Sequence, residues 1–516
     1  MTKRVDIAVI GSGFGGSLLA MIARRLGRSV VLVEKGKHPR FAIGESSTPL
    51  ANLLLDELAR KYDLPRLRRL TEWGKWQESH PGLACGLKRG FTFYHHSLGR
   101  PFIDDGSRKN QLLVAASPHD RVADTHWYRP HFDQFLVQEA QHLGVEFLDE
   151  TAVEIAHRDA GGFLFRARRR GRRTSFRARF VIDATGPRGF LFHALGLRER
   201  RLPNLPDTEG LYAHFRGVDR LDNSGTRPAS ETPPYPVDDA AVHHVFDGGW
   251  IWILRFNNGI TSAGVAATRR VAERFGLSDG RSGWRRLLKE LPTVQRQFAT
   301  ARTVHPFVHA AQLSFACETA VGTNWALLPS AAGFIDPLLS TGFPLTLLGV
   351  ERLAGMIDRH WGRSSLTAKL KKYERKTFTE LFAAENLVSA LYKNLGDFEV
   401  FSSLSLLYFA AASFAESARR LDRPKLASSF LLHDTVPFGR ELNRCCELAR
   451  VRRSPGQRTK LLAMIRRAIE PINVAGLTDR ARRNWFPVKG SDLMAAASKL
   501  GVTPARVRNF LQVNGF

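Results

Sequence analysis

The hydrophobic pattern changes period several times along the chain, and most changes fall at glycines. Val5–Ile10 is a short apolar run that enters Gly11-Ser12-Gly13-Phe14-Gly15-Gly16. Ser17–Leu26 then carries apolar residues at helical spacing, and Ser29–Val33 is a second strand-like run ending in Glu34. That order predicts a βαβ unit. Leu87–His95, Ile103–Asp104 and Leu112–Ala115 read as strands. Arg129–Leu143 places Phe132, Leu136, Val137, Ala140 and Leu143 on one helical face, and Val145–Val153 returns to strand. Phe180–Asp183 is an apolar run entering Ala184-Thr185-Gly186. Gly210–Val265 is strand-rich but broken by Asn223–Asp239, whose four prolines, glycine and polar residues predict a mobile loop. From Leu345 the pattern is mostly helical, through Tyr373–Leu395 and Phe401–Leu421, to a basic helical tail.

The glycines decide what the first unit can bind. Gly11 permits the tight turn after the strand, Gly13 lets a pyrophosphate reach the backbone, and Gly16 lets helix and strand pack closely. Glu34 stands where a carboxylate accepts ribose hydroxyls. Arg40 and the loop Gly44-Glu45-Ser46-Ser47 follow as a polar cover for a cofactor, and Asp183 to Gly186 is another place where backbone can lie against a nucleotide. The stretch Ala331–Gly342, AAGFIDPLLSTG, reads as the floor of a flavin site. It combines small residues, the isolated Asp336 and a Ser-Thr-Gly turn that runs into an apolar helix. Gly342 has no Cβ and Pro344 suits a first helical turn, so free N–H groups point out of the helix start. Such an end attracts the negative charge of a reduced flavin's pyrimidine edge, and equally a halide ion.

Composition adds milder bounds. A chain of 516 residues can form two or three subdomains. The formal charge of +27 is concentrated in part around Gly171, where Arg166, Arg168, Arg169, Arg170, Arg172 and Arg173 look like a solvated hairpin turn. No recognition helix, zinc finger or RNA-binding aromatic pair accompanies it, which argues against specific nucleic-acid binding. A basic exterior also attracts acidic partners, such as a carrier protein or an anionic substrate. Cys85, Cys317, Cys445 and Cys446 lack metal-ligand spacing, so no metal site is expected, and a reducing cytoplasm fits. No signal peptide or membrane span is read in the pattern; Phe401–Ala415 is too short and serine-broken.

With these motifs the chain resembles the flavin-dependent halogenases, within the aromatic-hydroxylase-like flavoproteins, over residues 1–360. The resemblance rests on GSGFGG at Gly11–Gly16, GESSTP at Gly44–Pro49, GLKRGF at Gly86–Phe91, YRPHFDQFL at Tyr128–Leu136, DATG at Asp183–Gly186, WIWI at Trp250–Ile253, and AAGFIDPLLSTG. It implies an α/β fold: a Rossmann-like FAD-binding domain with an inserted antiparallel β-sheet substrate domain and a helical C-terminal region. The expected division is 1–75, 126–190 and 306–360 for the FAD-binding part, 76–125 and 191–305 for the substrate sheet, and 361–516 for the helical region.

In that family, reduced FAD from a separate flavin reductase, with dioxygen, oxidises chloride or bromide to hypohalous acid, which crosses a closed tunnel to the substrate. By resemblance, Lys88 is the catalytic lysine that steers the electrophilic halogen. Trp250 and Trp252, with Phe91, form the partition, and Thr341 and Gly342 bind halide. Gly11, Gly13, Phe14, Gly16, Glu34, Arg40, Glu45, Ser46, Asp183, Gly186, Ser330, Asp336 and Gly342 hold FAD. Halogenases of free tryptophan carry a glutamate where this chain has Leu339, which implies instead an electron-rich phenol or pyrrole, free or carrier-bound. The family's Gly-Asp pair is here Pro329-Ser330, an alteration where the ribityl chain is held, and WIWI is followed by Leu254 rather than proline. The alternatives are a flavin monooxygenase or dehydrogenase on the same fold, and a flavin-poor binding or scaffold protein of a biosynthetic complex. The chain is expected to act as a monomer or homodimer.

Overall fold

Lys3–Ile10 sits at the middle of an eight-stranded sheet whose strands come from distant parts of the chain. It is flanked in parallel by Val30–Val33 on one side and Arg172–Asp183 on the other. Glu146–Leu148 extends the first side and Trp325–Leu327 the second, again in parallel. The central stretches Ile7–Ile10, Val30–Val33 and Phe180–Ile182 are continuous buried apolar runs, covered by helices; Phe14–Arg25 has nine buried residues. The structure is a computed structural model and describes residues 2–104, 106–221 and 232–513.

A nine-stranded sheet carries the inserted region. Its central order is Thr208–Arg216, Thr261–Thr268, Gly249–Arg255, Ala241–Phe246, Gly90–His95 and Gln111–Ala115. The expectation of an antiparallel sheet needs amendment, since Ala241–Phe246 pairs in parallel with Gly90–His95. The C-terminal region is also not purely helical. Trp485–Phe486 adds a parallel edge strand beside Gln111–Ala115, a pairing of positions more than 370 residues apart that no local pattern reveals.

Other elements depart from the sequence pattern for local reasons. Leu87–His95 is two strands, Cys85–Lys88 and Gly90–His95, which belong to different sheets because the N–H of Arg89 turns to Asp239 O. Ile103–Asp104 forms no strand, and Ile103 is exposed. Val145–Val153 is interrupted at Glu150, whose φ is +46°, so Glu146–Leu148 and Thr151–Asp159 are separate strands. Of the expected mobile loop, residues 223–231 lie outside the described residues. The remainder is packed: Tyr235 is buried and donates to Phe91 O at 2.6 Å. The arginine-rich turn is as expected, with Arg170 and Gly171 both at positive φ between two strands. Part of its charge is paired there, as Arg170 with Glu150 at 2.9 Å.

The helix Phe398–Arg420 is, by length and composition, apolar enough to cross a membrane, contrary to the sequence expectation. Its apolar residues instead pack inside the protein, with 72% of its most apolar window buried, and Arg419 at its end pairs with Glu57 and Glu351.

Candidate active site

The nucleotide end is built by backbone that tolerates no side chain. Gly11 has φ +100°, and a Cβ there would stand 2.6 Å from Ala184 O. A Cβ at Gly16 would lie 2.0 Å from Gly11 O. Gly13 faces two guanidinium groups, Arg129 Nη2 at 3.3 Å and Arg40 Nη2 at 3.7 Å from its hypothetical Cβ. Arg40 Nε is buried without a hydrogen-bond partner and lies 3.4 Å from Glu34. A half-buried guanidinium beside a glycine loop, with its Nε making no hydrogen bond, fits the pyrophosphate of FAD. Glu34 accepts from Ser12 Oγ at 2.8 Å and Gly36 N at 3.0 Å. Burial works against its charge, yet Arg40 and these donors outweigh it and hold the carboxyl below its ordinary range. Asp183 uses one oxygen on Thr185 N at 2.8 Å and the other on Leu191 N, so its carboxylate shapes its own loop.

At the opposite end, Pro329 occupies the first position of a short helix, Pro329–Ala332. There its missing N–H costs no helical hydrogen bond. Its ring packs on Gly349, where a Cβ would be 2.3 Å away, and Ser330 follows half-buried. Leu339 and Ser340 both adopt positive φ, +64° and +56°, a strained pair of the kind found where function over-determines the backbone. The turn delivers Thr341, buried, to the start of the helix Gly342–His360. The space a Cβ would take at Gly342 is open. Phe343 packs on Phe14 at 4.8 Å and on Trp127 at 4.5 Å, an aromatic wall in which Trp127 was not foreseen.

Lys88 is fully buried. Its Nζ donates to Ser46 Oγ at 2.9 Å and to Ser47 O, so the GESS loop holds the lysine directly. Opposite it in the strand pair stands Asp124, whose Oδ1 accepts from Asn52 Nδ2 at 2.8 Å. Burial drives the Lys88 ammonium below its usual range and the Asp124 carboxyl above its own, while each favours the other's charged form. His126 and His243 are kept neutral first by burial and then by the lysine's charge, His243 being pushed down to about 3. Both ring nitrogens of His126 are buried without partners. Glu45 points elsewhere and meets His214 Nε2 at 2.8 Å.

Trp250 and Trp252 share one face of their strand, with ring centroids 5.7 Å apart. Trp250 Nε1 donates to Tyr392 OH at 3.2 Å, which donates to Asp336 Oδ2 at 2.7 Å. Asp336 Oδ1 accepts from Leu338 N at 2.9 Å. Both oxygens of Asp336 are thus engaged within the protein, and burial pushes its carboxyl up to about 7. Its side chain ties the Ser-Thr-Gly turn to the tryptophan strand.

A cleft opens beside this assembly, lined by Thr48, Phe91, Val114, Tyr408, Phe409 and Glu416, with Phe486, Val488 and Phe510 closing the far wall. Phe91 is the contact between cleft and lysine, since Lys88 Nζ lies 3.8 Å from its ring centroid. The C-terminal wall and Glu416 were missed by sequence reasoning. A detectable signal was present: Tyr408, Ala412 and Glu416 fall on one face of the helix, and Glu416 is an isolated acid in an apolar stretch.

A model of FAD-dependent oxidoreductases matches residues 6–275, more than half of the sequence, and the chain belongs to that family. Among curated relatives, monodechloroaminopyrrolnitrin halogenase PrnC of Pseudomonas fluorescens is 28% identical over 79% of this chain and 71% of its own length. Tetracycline 7-halogenase of Kitasatospora aureofaciens is 31% identical over 66% of this chain and 61% of its own. Within the family the protein is a flavin-dependent halogenase. The crystal structure of the halogenase PltM with phloroglucinol and FAD has the same fold, with a TM-score of 0.81 at 22% identity over 93% of this chain and 99% of that one.

Proposed function

We propose that the protein halogenates a phenolic or pyrrolic ring in the cleft beside Phe91, with Lys88 as the catalytic residue. The observation that carries this reading is a fully buried lysine held by the GESS loop against the wall of an aromatic cleft. Ser46 and Ser47 take two of the lysine's N–H donors and orient the third, and its basicity, lowered by burial, favours a free amine able to carry halogen. Leu339, fully buried, offers no base for an unactivated ring, which favours substrates activated by their own hydroxyl or pyrrole nitrogen. Relatives point the same way: 1H-pyrrole-2-carbonyl-[peptidyl-carrier protein] chlorinase is 24% identical over 81% of this chain, and the PltM structure holds phloroglucinol.

When bound in reduced form, FAD supplies with dioxygen the oxidising power that converts halide to an electrophile. Gly11, Gly13, Phe14, Gly16, Glu34, Arg40 and Gly186 are assigned to the nucleotide half, and Ser330 and Gly342 to the flavin end. Asp183, Asp336 and Glu45 support these loops through their protein partners, and Ser46 serves through Lys88. Thr341 and Gly342 are assigned to halide, with the free N–H groups of the helix start facing the anion. Trp250 and Trp252 keep flavin and substrate apart, so oxygen is not inserted directly. The division into FAD-binding, substrate-sheet and helical parts at the limits given above, a flavin reductase partner, a cytoplasmic location and a monomeric or homodimeric state belong to the same proposal.

The test is one assay: purified protein, flavin reductase, nicotinamide, FAD, bromide, and a panel of phenols, pyrroles and indoles read by isotope pattern. Brominated phenol or pyrrole is expected. Turnover of tryptophan or indole alone would overturn the substrate assignment.

A further inference from the structure

We propose that Glu416 accepts the hydroxyl proton of a phenolic substrate during halogenation, an inference that rests on the phenolic reading above. Two carboxylates, Glu72 and Glu416, line the cleft among the described residues. Glu72 is engaged by Lys75 at 2.7 Å. Glu416 Oε1 accepts from Arg420 Nε at 2.8 Å, which fixes the side chain and leaves Oε2 for a ligand. Around this carboxylate the cleft is apolar, with Phe91, Tyr408, Phe409 and Val114. Lys88 stands behind the Phe91 ring at 3.8 Å, so that ring separates the lysine from the part of the cleft that Glu416 lines. The charged neighbours are Arg420 and Lys489 on the cleft wall, Glu72, and Asp124 and Lys88 beneath.

The step balances without another reactant. The phenol O–H bond breaks, its proton passes to Glu416 Oε2, and the released pair enters the ring. An ortho or para carbon attacks the halogen of hypohalous acid, whose halogen–oxygen bond breaks with its pair onto hydroxide. Hydroxide takes the ring proton as water, the C–H pair restores the aromatic ring, and Glu416 returns its proton to the phenolate oxygen.

Glu416→Gln keeps size and the Arg420 contact but removes the base. With reductase, FAD and bromide, kcat/KM for resorcinol should fall about a hundredfold, while that for 1,3-dimethoxybenzene, which has no hydroxyl proton, changes less than about threefold. Equal losses on both, or none on resorcinol, would overturn the proposal and leave the halogenase reading intact. Failure of the unaltered enzyme to brominate any phenol would sink both. Should the variant not fold, the unaltered protein is titrated with 4-nitrophenol and 4-nitroanisole. At least about tenfold tighter binding of the phenol is expected, and equal affinity would overturn the assignment.

Discussion

Lys88 and Phe91 form a cation–π pair, with the ammonium nitrogen 3.8 Å from the ring centroid and the same ring forming part of the cleft wall. The lysine is therefore screened from the cleft by a residue that lines it. Three residues of separation place both at one junction, because the chain leaves one sheet at Lys88 and enters another at Gly90.

Lys88→Ala should abolish halide-dependent product, lowering halogenation by about 10²–10⁴-fold, the range expected for a positioned proton donor or acceptor. Product mass spectra check this, and FAD titration of the variant checks that the nucleotide end survives. Asp124 would lose the charge that favours its ionised form, so its carboxyl, already raised by burial, should rise further. Retained bromination would dismiss Lys88 as the catalytic group.

Phe91→Ala should expose the lysine. In the unaltered protein Lys88 should resist acetic anhydride at neutral pH, whereas in the variant peptide mapping should find it acetylated. Protection that persists in the variant would show that the ring is not the screen.

Asp336 provides a pH signature. Burial raises its carboxyl from 3.8 to about 7, so between these values the folded state holds a proton that the unfolded chain has released. Its contribution is fully present below the unfolded value and is lost as pH rises through the folded one, by up to about 1.4 kcal/mol per pH unit. Asp336→Asn keeps the Tyr392 contact but cannot titrate. Relative to this variant, the unaltered protein should lose stability between pH 4 and pH 7, and parallel unfolding curves across that range would contradict the shift.

Arg40→Ala should weaken FAD binding by about tenfold or more, the worth of one charge-assisted hydrogen bond to phosphate. Because Pro329 and Ser330 are proposed to lie at the flavin's other end, their replacement by Gly and Asp should instead strengthen it. Fluorescence titration distinguishes the two; unchanged affinity in Arg40→Ala would remove it from the pyrophosphate site.

The opening βαβ unit and its glycine turn were legible because periodicity and glycine spacing are local signals. Gly11, Gly13 and Gly16 lie within six residues of one another and their spacing alone marks the turn, although of the three only Gly16 is crowded by backbone of the same segment, Gly11 being closed off by Ala184 O. The Ser-Thr-Gly turn before Phe343 was legible for the same reason, and Lys88 through its motif. Glu45 and Asp336 show the limit. Each sits in a cofactor motif, yet their partners, His214 and Tyr392, are 169 and 56 residues away.

By itself the sequence determined the βαβ start, the helix that opens at Gly342, the arginine-rich hairpin and the family, all of which follow from periodicity, glycine geometry and adjacent residues. The cleft was decided only in three dimensions. Its walls bring Phe91, Glu416 and Phe486 together from three distant segments, and the burial of Lys88 that alters its chemistry arises only once Ser46, Asp124 and Phe91 close around it. Desolvation is a property of the packed assembly, since no single segment of chain can exclude water from its own side chain.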